Sequence, residues 1–282
     1  MRILRITSVI LSLILAICLL SCAGGNQNND ADAPGAENNR EDTTGAEIKL
    51  PDRVLLSKTV NDGSGNEYEK EVYEYDTLGN VKSLTVYTGG VKTSTTVYTY
   101  DNANRCSSIT VTDHSDGDSS VEYSYIYEKN GNYVCQGPDS STSYTVDAAN
   151  GGFVAKETYP DNENFLVWEH SFDPKTLKIT NETYYLINSY DQLSRSVTYK
   201  YDEYGEMSEK TEEYKNGNTS TTVYINQYDN GKLTLQSAYV DSTPHHSVMY
   251  EYNDRGELVK ETLILASGLP ASQTVYVYGD FQ

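Results

Sequence analysis

The chain is poor in the residues that mark most enzymes and most buried cores. Its 282 residues include one Trp, four Phe, three Met, four His and four Cys. No phosphate-binding Gly-x-x-x-x-Gly-Lys-Ser/Thr loop, dinucleotide-binding glycine pattern, His-Glu-x-x-His or Gly-x-Ser-x-Gly occurs, so the motif-marked nucleotide, metalloprotease and serine hydrolase classes find no support. Basic residues are scarce. Lys and Arg number 21 against 41 Asp and Glu, which makes nucleic acid and anionic membrane surfaces poor partners. Helical periodicity is absent, and only one long apolar run exists, at the N-terminus.

That run, MRILRITSVILSLILAICLLSC, sets Arg2 and Arg5 before an apolar segment of about Ser8 to Leu20. It has the layout of a secretory signal peptide and is short for a bilayer span of roughly 20 residues. Leu19-Leu20-Ser21-Cys22 resembles the lipobox of bacterial lipoproteins, which implies cleavage before Cys22, lipidation of its thiol and a membrane partner reached through that anchor. Residues 1–21 are read as the signal peptide. Residues 22–50, rich in Gly, Asn, Ala, Asp and Glu, are read as anchor and flexible acidic tether. Residues 51–282 form the exported domain. Loss of two arginines with the signal leaves 19 basic and 41 acidic residues, a formal charge of −22.

What the chain does have is tyrosine, 26 of them, and a repeat. Val72-Tyr73-Glu74-Tyr75-Asp76-Thr77-Leu78-Gly79 returns in altered form at Val197 and Met249. Aligned on the aromatic and the following residue, the series runs Tyr75-Asp76, Tyr100-Asp101, Tyr127-Glu128, Phe172-Asp173, Tyr201-Asp202, Tyr228-Asp229 and Tyr252-Asn253. Val146-Asp147 and Tyr278-Gly279 are degenerate members. Before each motif, residues alternate with period two, as in Val121, Tyr123, Tyr125 and Tyr127, which predicts a strand. Asp or Asn followed three residues later by Gly predicts a hairpin turn with a glycine bulge, and a second strand returns after it. Second turns such as Thr88-Gly89-Gly90 and Asn216-Gly217-Asn218 close the unit.

Two strands in each of about eight units predict roughly 16 strands. The expected fold is all-β, a repetitive antiparallel hairpin meander forming a long coiled or rolled sheet, because an open sheet beyond ~10 strands curls. The short strands and charged alternate face argue against a membrane β-barrel.

Tyr73-x-Tyr75-Asp76-x-x-Gly79, Tyr199-x-Tyr201-Asp202-x-x-Gly205 and Tyr250-x-Tyr252-Asn253-x-x-Gly256 resemble the YD repeats of bacterial Rhs proteins over about residues 68–282. The family's Arg after the turn survives only at Arg105. The resemblance implies an extended, coiling β-wall used as a surface-exposed scaffold.

Chemistry is thinly signalled. Cys106 and Cys135, one strand apart in a meander, fall ~9.6 Å from each other, too far for a disulfide, and read as free thiols. His245-His246 sits in an expected turn, and adjacent strand residues face opposite ways, so a shared metal is disfavoured. Asp113-His114-Ser115-Asp116-Gly117-Asp118 and Asn61 to Glu67 hold oxygen donors but lack a calcium-loop pattern and read as turns. His114 and His170 carry no motif. Trp168 reads as a buried anchor, with a sugar-stacking role as the alternative. No catalytic residue, metal or cofactor is assigned, and ligand-binding residues are unknown. The expectation is a non-catalytic binding, adhesion or scaffold surface with a glycan or surface protein as partner. A surface polysaccharide hydrolase and a purely structural envelope component are the alternatives.

Overall fold

The computed structural model describes residues 50–281, except 139, 148–151, 159–164, 174–175, 177 and 188–191. The expected signal segment, Cys22 and nearly all of the expected tether lie outside these residues.

Eighteen strands follow one another from Arg53 to Asp280: β1 (Arg53–Asp62), β2 (Glu67–Tyr75), β3 (Val81–Thr88), β4 (Val91–Tyr100), β5 (Cys106–Asp113), β6 (Ser119–Tyr127), β7 (Tyr133–Gln136), β8 (Ser141–Asp147) and β9 (Gly152–Thr158), then β10 (Phe165–Phe172), β11 (Ile179–Ile187), β12 (Gln192–Tyr201), β13 (Met207–Tyr214), β14 (Thr219–Asp229), β15 (Lys232–Val240), β16 (Thr243–Tyr252), β17 (Leu258–Leu265) and β18 (Pro270–Asp280). Every consecutive pair is antiparallel and hydrogen-bonded, as the sequence predicts for a hairpin meander. The roll goes further than expected. β1 pairs with β2 on one side and with β18 on the other, from Arg53↔Asp280 to Asp62↔Ser272, so the ladder runs through all eighteen strands and returns to its start. Joining the ends removes the two unpaired edges that an open sheet would offer to other chains.

The repeat motif ends the even-numbered strands, and its chemistry is local. In β2 the Asp76 amide donates to Asn80 O and the Gly79 amide to Asp76 O, while Asp76 Oδ1 accepts from the Leu78 and Asn80 amides at 2.8 and 2.9 Å. The same carboxylate or amide cap recurs at Asp101, Asp202 and Asn253. Each of these turns carries the expected bulge, with the register slipping at Tyr75, Tyr100, Tyr201 and Tyr252. The tyrosine excess has a structural cause. Tyr75, Tyr100, Tyr127 and Tyr201 donate their hydroxyls at 2.7–2.8 Å to the carbonyls of Leu55, Val81, Cys106 and Ile179 on the preceding strand, a bond phenylalanine cannot make. A cation that follows one turn then covers the tyrosine of the next motif. Arg105 lies 4.2 Å above the Tyr127 ring, Lys178 5.1 Å above Tyr201 and Lys232 5.3 Å above Tyr252.

Gly79 has φ +82°, and a Cβ there would lie 2.7 Å from the Pro51 ring, whereas Gly217, at φ +78°, has open space around it. Both alanine substitutions incur backbone strain of about 1 kcal/mol or more. Gly79→Ala is expected to cost more than Gly217→Ala, because it also pushes Pro51 off the turn. Urea unfolding of the two variants measures the difference, and equal losses would refute the contact.

The faces of the wall differ. Leu84, Tyr98, Ile109, Tyr125, Cys135 and Tyr144 are buried together on the inner face of β3 to β8, and Phe172 packs against them. Tyr133 and Tyr144 stack at 4.3 Å. Cys106 and Cys135 are not bridged to each other, as expected, and both are buried more fully than the half-buried placement the alternation predicts. The opposite, outward positions carry cross-strand pairs such as Lys200–Glu209 at 2.7 Å and Lys260–Glu251 at 2.8 Å, among Ser, Thr and scattered exposed apolar residues.

Eighteen strands about 4.8 Å apart make a ring roughly 85 Å around, wider than inward side chains fill by themselves. The burial agrees. Most inward tyrosines of β12 to β18 (Tyr199, Tyr201, Tyr224, Tyr228, Tyr250, Tyr252, Tyr276 and Tyr278) remain half-buried, and Tyr214 is exposed.

Candidate functional site

Polar groups concentrate on the inner face where β10 to β13 pass. Register sets His170, Glu182, Val197 and Glu212 in one row, and Tyr184, Arg195 and Tyr214 in the next. Val197 is fully buried between the two glutamates. His170 Nδ1 stands 3.0 Å from Glu182 Oε1, and the Tyr199 hydroxyl donates to Glu182 Oε2. Arg195 lies 5.1 Å above the Tyr184 ring and 3.5 Å from Glu212 Oε2, while Lys210 Nζ is 2.5 Å from Glu212 Oε1.

Electrostatics define what this network can do. Burial raises the Glu182 carboxyl, but hydrogen bonds from His170 and Tyr199 outweigh it and hold the group below its usual range. Hydrogen bonds from Lys210 and Tyr214 hold Glu212 low in the same way. Tyr184 is pushed up to about 12 by burial and by the neighbouring Glu182 charge, and burial together with its bond to Glu182 raises Tyr199. Hydrolysis of a glycoside by two carboxyls needs one of them protonated near neutral pH. Both carboxyls are held low here, the opposite direction from the raised carboxyl that serves as such an acid.

Beside this network the rim opens into a recess of about 500 Å³ between the β10–β11 and β12–β13 turns, lined among others by Lys178, Tyr199, Tyr201, Asp202 and Tyr204. The Tyr204 ring stacks on Tyr228 at 4.3 Å and is 55 % exposed. Asp202 caps the turn with one oxygen and accepts from Tyr228 and Asn226 with the other. Tyr199 lines the recess and reaches Glu182, so recess and network are joined.

The residues singled out in the sequence are placed as follows. Trp168 lies in β10 opposite Ala155 and Tyr184. His114 is held between Thr95 Oγ1, 2.9 Å from its Nε2, and Asp118. Asp113 accepts from the Ser115 amide, and Asp62 from the Ser64 and Asn66 amides, so both oxygen-rich loops use their carboxylates as turn caps. Among the described residues no three His, Cys, Asp or Glu converge as metal ligands. His245 and His246 depart from expectation: they belong to β16, not to a turn, and their rings lie together rather than on opposite faces, because the strand bulges there.

Glu182, Arg195, Lys210 and Glu212 carry no motif and were not singled out from the sequence. Their signal is phase: Arg195 shares the alternation of Val197 and Tyr199, which puts a charge on the tyrosine face.

No protein-family model matches the chain, and no curated protein matches it. Among solved structures, a porin-like protein from Bacteroides uniformis is 12% identical, with 82% of this chain and 100% of that one covered at a TM-score of 0.46. A porin-like protein from Bacteroides vulgatus is 13% identical, with 80% and 99% covered at 0.35. The complex TcdB2-TccC3 without its hypervariable C-terminal region is 11% identical at 0.30; 77% of this chain aligns with 16% of that one. These similarities are low in both sequence and superposition, and the architecture described above rests on the strand pairings of this chain.

Proposed function

We propose that the protein is exported to a bacterial cell envelope, held there by lipid on Cys22, and serves without catalysis as a binding surface for a glycan or a surface peptide. The observation that carries this reading is the set of half-exposed tyrosines on the inner face of β12 to β18, continuous with the rim recess at Tyr204. A purely structural wall has no use for aromatic rings left accessible, and Tyr98, Tyr125 and Tyr144 show that this fold can cover them. Tyrosine offers a flat apolar face with a polar tip, which suits sugar rings and extended peptides. The low-held Glu182 and Glu212 carboxylates supply fixed acceptors and count against a hydrolase.

Thermal unfolding of the protein against polysaccharides, cell-wall fragments and peptides tests the reading. Ligand at 100 times its dissociation constant adds about 2.7 kcal/mol of stability. A saturable shift that is lost in Tyr204→Ala or Tyr250→Ala, with the glycan left uncleaved, is the expected result. No shift with any ligand leaves the structural reading, and cleavage products would restore the hydrolase. The anchor is tested separately: Cys22→Ser is expected to move the protein from the membrane fraction to the soluble one.

A further inference from the structure

The β15–β16 hairpin turns through Asp241 and Ser242, both at positive φ, 46° and 68°, as in a two-residue primed turn. Val240 pairs with Thr243 and Tyr239 with Pro244, but the next pair is Ala238 with His246, so His245 has no residue opposite it. Such a bulge re-aims a side chain and accommodates the proline beside it. Its effect here is to bring successive imidazoles together. The rings stand 4.9 Å apart at 77°, with their Nδ1 atoms 2.6 Å from each other.

The backbone around the pair is fixed. His246 lies between Ala238 on β15 and Leu265 on β17, and the His245 carbonyl accepts from the Ala266 amide at 3.2 Å. Ala238 is almost fully buried and puts only a methyl group opposite His246. His245 is exposed and His246 half-buried, so solvent reaches the site.

Two nitrogens at a metal–nitrogen distance of about 2.0–2.1 Å, in adjacent coordination positions, are separated by about 3 Å. The observed separation is a few tenths of an ångström short of that, within a small rotation of either ring. We propose that His245 and His246 form a bidentate site for a divalent late first-row transition metal ion, with copper(II) bound more tightly than zinc(II). Imidazole suits both ions, and the order of the two follows their general affinity for nitrogen ligands. Among the described residues no further His, Cys, Asp or Glu completes the set, so water fills the remaining positions. In the metal-free pair one Nδ1 carries hydrogen and the other accepts it. Metal binding through both Nδ1 atoms moves that hydrogen to Nε2 of the same ring, a tautomer change without net proton release.

The test is a calorimetric titration of the full chain with copper(II) chloride and then zinc(II) chloride, with paramagnetic resonance of the copper complex. The expected result is a saturable copper site showing coupling to two imidazole nitrogens. His245→Ala and His246→Ala should each weaken it at least about tenfold, since even loss of outer partners costs that much at metal sites. His114→Ala should leave it unchanged. His245→Asn, which keeps a polar group on the bulge, serves as a second variant should alanine disturb the hairpin, with circular dichroism confirming that each variant is folded. Copper binding that no substitution at 245 or 246 alters, or no saturable binding at all, would overturn the proposal.

Discussion

Raising the pH above 10 is expected to unfold this protein cooperatively, with tyrosine ionisation and loss of β-structure occurring in one transition. The cause is the inner face. Burial, with neighbouring carboxylates at several positions, raises the pKa of Tyr73, Tyr75, Tyr184, Tyr199, Tyr201, Tyr228, Tyr250, Tyr252, Tyr276 and Tyr278 above the ordinary value of 10.0, to about 12 for Tyr184 and Tyr250. The unfolded chain ionises its tyrosines near 10, and the folded one resists. Stability from these groups is therefore intact below pH 10 and is lost as pH rises through the folded values, between about 10 and 12, because the unfolded state then releases protons that the folded state retains. Because many groups act together, the transition should be steep. Absorbance of phenolate near 295 nm and far-ultraviolet circular dichroism, followed across the same titration, check it. Gradual ionisation with the strands intact would show that the inner tyrosines are not held neutral by the fold.

Ile109→Ala is expected to cost about 3 kcal/mol, within the range for truncating a fully buried aliphatic side chain. Ile109 is completely buried and lies between Tyr98 and Tyr123 in register on β4 and β6. Both neighbouring strands are hydrogen-bonded along their length, so the cavity has little means of collapsing. Urea unfolding should show a lower midpoint with the same slope. Val223→Ala, on the outer face and 42 % exposed, provides the comparison and should change stability by less than about 1 kcal/mol. Similar losses at both positions would mean that the inner and outer faces do not differ as described.

The carboxylates supply the opposite limb of the pH dependence. Asp76, Asp101 and Asp202 are held below the ordinary value of 3.8 because hydrogen bonds outweigh the raising effect of burial, from their own turns at Asp76 and Asp101 and chiefly from Tyr228 and Asn226 at Asp202. Their stabilisation is present above 3.8 and is lost as pH falls through the lower folded values, so acid should open the turn end of the hairpins. Hydrogen exchange of the Leu78, Ala103 and Tyr204 amides, each bonded to one of these carboxylates, reports that opening.

Turns, strands and the order of hairpins were determined by the sequence alone, because each depends on partners close along the chain. An Asp caps amides two and four residues on, a glycine supplies positive φ at the fourth turn position, and alternation assigns Tyr123, Tyr125 and Tyr127 to one face. That Cys106 and Cys135 are not bridged to each other was also legible, since one intervening strand already separates them too far. Closure of the sheet was decided only by the tertiary structure. Whether β18 meets β1 depends on the sum of twist and tilt over eighteen strands, and small differences at each step decide between an open coil and a ring. The same holds for the network of His170, Glu182, Arg195 and Glu212, whose members come from four strands and share no spacing. It holds too for His245 and His246, where period two predicts opposed rings. One residue without a partner across the ladder turned them to the same side, and a register slip of that kind is fixed by pairing between strands rather than by the residues themselves.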